Sequence, residues 1–176
     1  LYAIEDPHSY RDRLTLPKFI VNASGDQFFL PDSSQFYYDE LQGEKHLRYV
    51  PNADHSLGGS DALESMIAFY QLIVSDKPRP EFSWTMESDG SIRVKSETAP
   101  KQVNLWHATN PKARDFRMES IGKDLAKVGK KLYKSEVLKA EADGTYVGKV
   151  ATPKAGFSAF FVEMVYDVGI KVPLKM

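Results

Sequence analysis

Asp76-Lys77-Pro78-Arg79-Pro80 divides this chain into two stretches that obey different rules. Two prolines in three positions cannot continue a helix and favour an extended connector. Ahead of them, short apolar runs alternate with amphipathic segments; beyond them, strand patterns follow one another with turn residues between. The first pattern predicts an α/β unit over residues 1–78 and the second an antiparallel β unit over residues 79–176. With 176 residues and 42% hydrophobic content, there is enough apolar material for one compact domain or two small ones.

In the first stretch, Lys18-Phe19-Ile20-Val21-Asn22-Ala23 reads as an interior strand of a parallel sheet, entered at Pro17. Ser24-Gly25-Asp26 is turn chemistry. Pro31-Asp32 then predicts a helix to about Leu41, with Asp32 as its cap and Gln35 reaching back, ended by Gly43. Lys45 to Val50 supplies a second strand that stops at Pro51. A helical crossover joins parallel neighbours, so the two strands are expected side by side. A second helix begins near Asp61 with Glu64 at capping-box distance, and its stripe of Leu63, Met66, Ile67, Tyr70, Ile73 and Val74 is expected to pack on the sheet.

In the second stretch, Phe82, Trp84 and Met86 alternate with polar residues up to Ser88-Asp89-Gly90-Ser91, after which Ile92 and Val94 alternate again, predicting a hairpin about Asp-Gly. Further strands are predicted at 102–108, 132–138, 145–150, 156–166 and 169–173, with Asp143-Gly144 as another tight turn. Roughly seven strands suit an antiparallel sandwich of immunoglobulin-like type. The lysine-rich stretch 123–134 reads as a solvated loop or edge.

Lysine and arginine number 23 against 24 acids, a net charge of -1, which leaves no field to hold nucleic acid or an anionic membrane. The absence of cysteine removes disulfides, thiolate metal sites and cysteine nucleophiles. No apolar run approaches the roughly 20 residues of a membrane-spanning helix. No two histidines stand at i,i+4 and no acidic cluster accompanies them, so neither a metal nor a cofactor is expected. The opening at Leu1, without an initiator methionine or a leader, is that expected of a segment cut from a longer chain.

The residues that carry chemistry are Asp26 and His55. Each follows the end of a predicted parallel strand, so both are expected at the carboxyl edge of the sheet, where open α/β folds place their sites. A carboxylate that accepts the Nδ1 proton fixes the imidazole tautomer and leaves Nε2 as a base. Asp54, beside His55, is the rival carboxylate. His8, His46 and His107 have packing or surface settings. No G-x-S-x-G elbow is present: Gly58-Gly59-Ser60-Asp61-Ala62 lacks the last glycine and reads as a loop with Ser60 as a helix cap.

Three segments, Asp6-Pro7-His8-Ser9-Tyr10-Arg11-Asp12-Arg13-Leu14, Pro17 to Asp32 with its Ser24-Gly25-Asp26-Gln27-Phe28-Phe29 core, and Gly43 to Leu57 with Pro51-Asn52-Ala53-Asp54-His55-Ser56, resemble the PhoPQ-activated pathogenicity-related proteins. Gly156-Phe157-Ser158-Ala159-Phe160-Phe161-Val162-Glu163 resembles that family's C-terminal β region. Family members are similar to α/β hydrolases, and bacterial ones are typically exported. The resemblance implies the C-terminal part of an α/β-hydrolase parallel sheet, strand-helix-strand-helix, followed by the immunoglobulin-like sandwich. Asp26 and His55 match the family's acid and base, in the chain order of α/β hydrolases, with the serine upstream.

Two parallel strands cannot cover their own faces, so an upstream segment, or a partner chain carrying it, is expected to complete the sheet. The leading expectation is a serine hydrolase acting on an ester or amide. The alternative is a non-catalytic extracellular signalling or binding protein on a hydrolase-like scaffold. Carbohydrate binding through Trp84, Trp106 and the tyrosines is a third.

Overall fold

The computed structural model describes residues 2–176; Leu1, on which the expectation of a cut start rests, lies outside the described residues. The fold mixes helices with one parallel and two antiparallel sheets. A short helix α1 (Tyr2–Glu5) and a 3-10 turn (Pro7–Arg13) lead into β1 (Lys18–Ala23), which pairs in parallel with β2 (Lys45–Val50). The register runs without a break from Lys18↔Lys45 to Ala23↔Val50. Among the described residues each strand is paired on one side only.

The crossover between them differs from the predicted helix. Residues 31–41 form two 3-10 turns, Pro31–Phe36 and Tyr38–Glu40, and the Asp32 side chain caps neither. Gln35 donates instead to the Asp32 carbonyl. Side chains compete for the groups an α-helix would use: Lys45 Nζ donates to the carbonyls of Tyr38, Asp39 and Leu41, and Tyr38 donates its hydroxyl to the Lys45 carbonyl. Serines and adjacent aromatics hold such turns more readily than a regular helix.

Helix α2 (Ala62–Val74) packs on the parallel pair with a different face from the predicted one. Ala62, Ser65, Ala68, Phe69 and Leu72 are buried, whereas Leu63, Met66, Ile67, Tyr70 and Val74 are exposed, and only Ile73 of the predicted stripe packs against the core. Two causes select this face. Small residues let the helix lie close to the strands while Phe69 stacks on Phe19 of β1 at 5.0 Å. Asp61, expected to cap the helix, makes no side-chain cap bond. Its carboxylate pairs instead with Arg48, whose side chain is fully buried, and with Lys175.

Beyond the connector lie β3 (Phe82–Met86), β4 (Ile92–Ser96), β5 (Gln102–Asn110), a π turn (Met118–Gly122), α3 (Lys123–Ala126), β6 (Lys134–Val137), β7 (Tyr146–Gly148), β8 (Phe157–Tyr166) and β9 (Leu174–Lys175). They form antiparallel sheets of order β3-β4-β7 and β6-β5-β8-β9. The Asp89-Gly90 hairpin joins β3 to β4 as expected, with Met86 opposite Ile92. The strand expected at 169–173 is displaced to β9, because Gly169 takes φ 71 and its amide is held by the Asp167 carboxylate in a turn. Stretch 123–134 is also more structured than a solvated loop: Leu132 and Tyr133 are buried, with Ile121 and Leu125 packed beside them.

The two antiparallel sheets approach closely at Gly148, where a Cβ would stand 2.6 Å from Val162 Cγ2. One core crosses the connector, combining Ala68, Phe69 and Leu72 of α2 with Val94, Val103, Met164, Tyr166 and Leu174. The connector is pinned where Arg79 grips the Glu44 carboxylate, while His46 lies between Phe69 and Phe82. The observed orientation of α2 predicts that Leu72→Ala, at a site only 1% exposed, costs about 2–5 kcal/mol in chemical denaturation. Leu63→Ala, 65% exposed, changes stability by about 0.5 kcal/mol or less. A larger loss at Leu63 than at Leu72 would mean that the helix buries the opposite face.

Candidate functional site

The parallel register brings the ends of β1 and β2 to one edge, so the loops that leave them are adjacent. Ser24 donates its amide to the Val50 carbonyl, and Gly25 donates to the Ala53 carbonyl, which ties the turn after β1 to the loop after β2. Asp26 leaves that turn 8% exposed. His55 Nδ1 donates to Asp26 Oδ2 across 3.0 Å, which orients the ring and leaves Nε2 with no hydrogen-bond partner among the described residues. The imidazole is 42% exposed.

The other carboxylate oxygen, Asp26 Oδ1, accepts the amides of Phe28 at 2.7 Å and Phe29 at 3.0 Å. Burial pushes the Asp26 carboxyl up, but the Phe29 amide, the His55 imidazole and the Phe28 amide together outweigh it. The group therefore titrates below the ordinary aspartate range and is held ionised. Gln27 adds a further tie by accepting the backbone amide of His55 on its side-chain oxygen. The contacts of Asp26 with the Phe28 and Phe29 amides fit the turn chemistry expected at Ser24-Gly25-Asp26, and the same carboxylate also reaches His55. The available signal was an aspartate followed two and three residues later by free amides, the Asx-turn pattern.

The rival carboxylate, Asp54, is occupied elsewhere: its Oδ1 accepts the amide and hydroxyl of Ser56. Ser60, expected as the helix cap, stands one residue ahead of the cap position, accepting the Ala62 amide while donating to the Leu57 carbonyl. The other histidines stand apart from Asp26 and His55. His8 pairs with Glu40, His46 with Glu44 and His107 with Glu136. Trp106 packs with Tyr133 and Phe161, and Trp84 is half-exposed on β3. Among the described residues, no three His, Asp or Glu side chains gather as a metal site requires.

A cavity of about 350 Å3 opens beside the pair, between the free edge of β1 at Val21, Asn22 and Ala23 and the side chains of Phe29, Ser33 and Tyr37. Phe28 and Phe29 flank the imidazole, with ring centroids 5.0 and 5.3 Å away, so the base has apolar walls and an open Nε2. A larger, mostly apolar cavity of about 670 Å3 lies against Tyr49, Trp84 and Phe161 and includes neither Asp26 nor His55. What the arrangement can do chemically is accept a proton at Nε2 and stabilise the resulting imidazolium by the carboxylate behind it.

The sequence pattern of the PhoPQ-activated pathogenicity-related proteins matches residues 1–117, which include both loops of the site. The chain is 37% identical over 181 aligned positions to Autocrine proliferation repressor protein A of Dictyostelium discoideum, covering 94% of this chain and 36% of that relative. It thus spans about a third of the relative's length. No solved structure matches. The family pattern runs across the Asp26 and His55 loops, and the curated relative aligns with nearly the whole chain: the chain belongs to the PhoPQ-activated pathogenicity-related protein family.

Proposed function

We propose that this chain supplies the acid and base of a serine-hydrolase-like centre, with the nucleophilic serine contributed by polypeptide outside residues 1–176. The observation that carries the reading is the 3.0 Å contact between His55 Nδ1 and Asp26 Oδ2, with Nε2 left facing outward. In this reading, Nε2 takes the serine proton as Oγ attacks an ester or amide carbonyl, and then returns it to the leaving group. Water repeats the sequence to release the acyl group. Asp26 stays ionised throughout, because the amides of Phe28 and Phe29 stabilise its charge.

Residues 1–78 are then the C-terminal part of an α/β-hydrolase sheet and residues 79–176 an immunoglobulin-like sandwich. Three surfaces support completion by other polypeptide: the unpaired edge of β1, the apolar stripe of α2, and the exposed side chains of Phe28, Phe29 and Leu30 beside the site. Two faces of α2 are apolar, which is the composition of a helix covered on both sides. The family also suggests an exported protein. Among the described residues no helix is long and apolar enough to cross a membrane.

A second reading, non-catalytic signalling on the same scaffold, is favoured by the name of the Dictyostelium relative, a proliferation repressor. It predicts that Asp26→Asn leaves biological activity intact while substitutions on the antiparallel half abolish it.

Fluorophosphonate labelling of a longer protein containing these residues separates the two readings. His55→Ala is expected to slow labelling about 100-fold or more, and equal labelling sinks the hydrolase reading. The Asp26 carboxyl has its folded pKa below its unfolded value of about 3.9. It therefore contributes stability that is fully present above that pH and is lost as pH falls through the folded value. Thermal melts of wild type and Asp26→Asn should differ most near neutrality and converge in acid; a constant difference across that range would remove the charge from the account. Tyr70→Glu should change the stability of this chain by about 0.5 kcal/mol or less. In a longer protein carrying the upstream residues it should cost on the order of 2 kcal/mol or more, and equal effects in both would count against covering of the α2 stripe.

A further inference from the structure

The segment that crosses from β5 to β6, residues 111–133, belongs to the antiparallel half, yet it packs on the turn that carries Asp26. Met118 donates its amide to the Gly25 carbonyl at 2.9 Å. The Asn52 side chain clasps the backbone of Tyr133 in both directions: its Nδ2 donates to the Tyr133 carbonyl at 3.0 Å, and its Oδ1 accepts the Tyr133 amide at 2.8 Å. Asn52 in turn donates its own amide to Ser24 Oγ at 3.0 Å. Tyr133, itself buried, reaches the Ser24 carbonyl with its hydroxyl at 3.4 Å.

Close approach is built into the residue types. A Cβ on Gly25 would stand 2.4 Å from Met118 Cγ, 3.0 Å from the Met118 amide nitrogen and 3.1 Å from the Ala53 carbonyl, so only glycine lets the crossover rest on the turn. Asn52 takes φ 57, a left-handed conformation that asparagine tolerates and that aims its amide at Tyr133. Ser24, Gly25 and Asp26 are thus held from the β2 side by Val50 and Ala53, and from the other half of the chain by Met118 and Tyr133.

We propose that the β5–β6 crossover is the positioning element of the Asp26–His55 pair, with Asn52, Met118 and Tyr133 as positioning residues that fix where the Asp26 carboxylate meets His55 Nδ1. The inference deepens the hydrolase reading and rests on it for its functional meaning. The consequence is that the antiparallel half completes the geometry of an acid–base pair whose two members both lie in the first half.

The test is made by NMR on a longer protein containing these residues. The Asp26 carboxyl carbon is titrated and the His55 Nδ1 proton is observed in wild type and two variants. Asn52→Gly suits the positive φ and removes only the clasp. Met118→Pro removes the amide bond to Gly25 at the first position of the π turn, where Arg117, at ψ 139, already has the extended conformation that a following proline requires. In both variants the Asp26 midpoint should rise toward the ordinary aspartate value, and the Nδ1 proton should exchange more rapidly with water, while each protein still melts in one cooperative transition.

A purely structural clasp would lower the melting temperature and leave midpoint and proton exchange unchanged; that result overturns the proposal. If one variant fails to fold, the other decides by the same two signals. Neither signal depends on turnover. A shifted midpoint together with undiminished labelling of His55→Ala would therefore overturn the hydrolase reading and leave the positioning role standing.

Discussion

The parallel pairing of β1 with β2 is the interaction on which the rest of this structure depends. An unbroken register from Lys18↔Lys45 to Ala23↔Val50 ends both strands at the same level. The loops that follow are then close enough for Asp26 to meet His55, although 29 residues separate them. A slip of one residue would also reverse the face presented by Phe19, Val21 and Ala23, whose side chains meet α2 and the small core around Val50. Register, core and site are therefore one constraint.

A two-stranded parallel sheet is a weak foundation by itself, since strands of this kind are normally covered on both faces. Here one face is covered by α2 and the other approaches β8, where Tyr49 lies 5.4 Å from Phe161. The last residues reinforce the arrangement. Met176 exchanges backbone hydrogen bonds with Met164, and Lys175 donates its amide to Ser65 and its ammonium to Asp61. Asp61 also binds the buried Arg48, so a cation from β2 and one from β9 share an acid at the start of α2. Arg48 is the fully buried member, so removing Asp61 would leave an uncompensated buried charge, which costs far more than the pair contributes.

The site follows the same logic on a smaller scale. Asp26 is kept charged in a largely buried position because two backbone amides and one imidazole converge on it, charge-assisted bonds stronger than their neutral counterparts. The turn that aims it is narrow enough to demand Gly25 and is pressed from two sides, by the β2 loop and by the β5–β6 crossover. His55 is left half-open between two phenylalanines. In the proposed hydrolase reading, a fixed acid behind an accessible base is the division of labour that proton transfer requires.

Much of this was legible in the residues alone. Lys18 to Ala23 and Lys45 to Val50 read as parallel strands because their apolar runs and flanking prolines are local signals, and the Asp89-Gly90 hairpin follows from backbone geometry that only a few residues accept. The placing of Asp26 and His55 together followed from topology. The sequence determined the strands and the hairpin because each depends on neighbours a few residues away, and it determined the meeting of Asp26 with His55 only through the rule that a crossover joins parallel neighbours. Tertiary structure alone decided which apolar face of α2 is buried, since Leu63, Met66 and Ile67 are as hydrophobic as the face that won. It also decided that 31–41 would be 3-10 turns held by Lys45, and that Asn52 would grip Tyr133 across 81 residues. Those outcomes rest on close packing and on hydrogen bonds between distant segments, and no periodicity within one segment encodes what another will place against it.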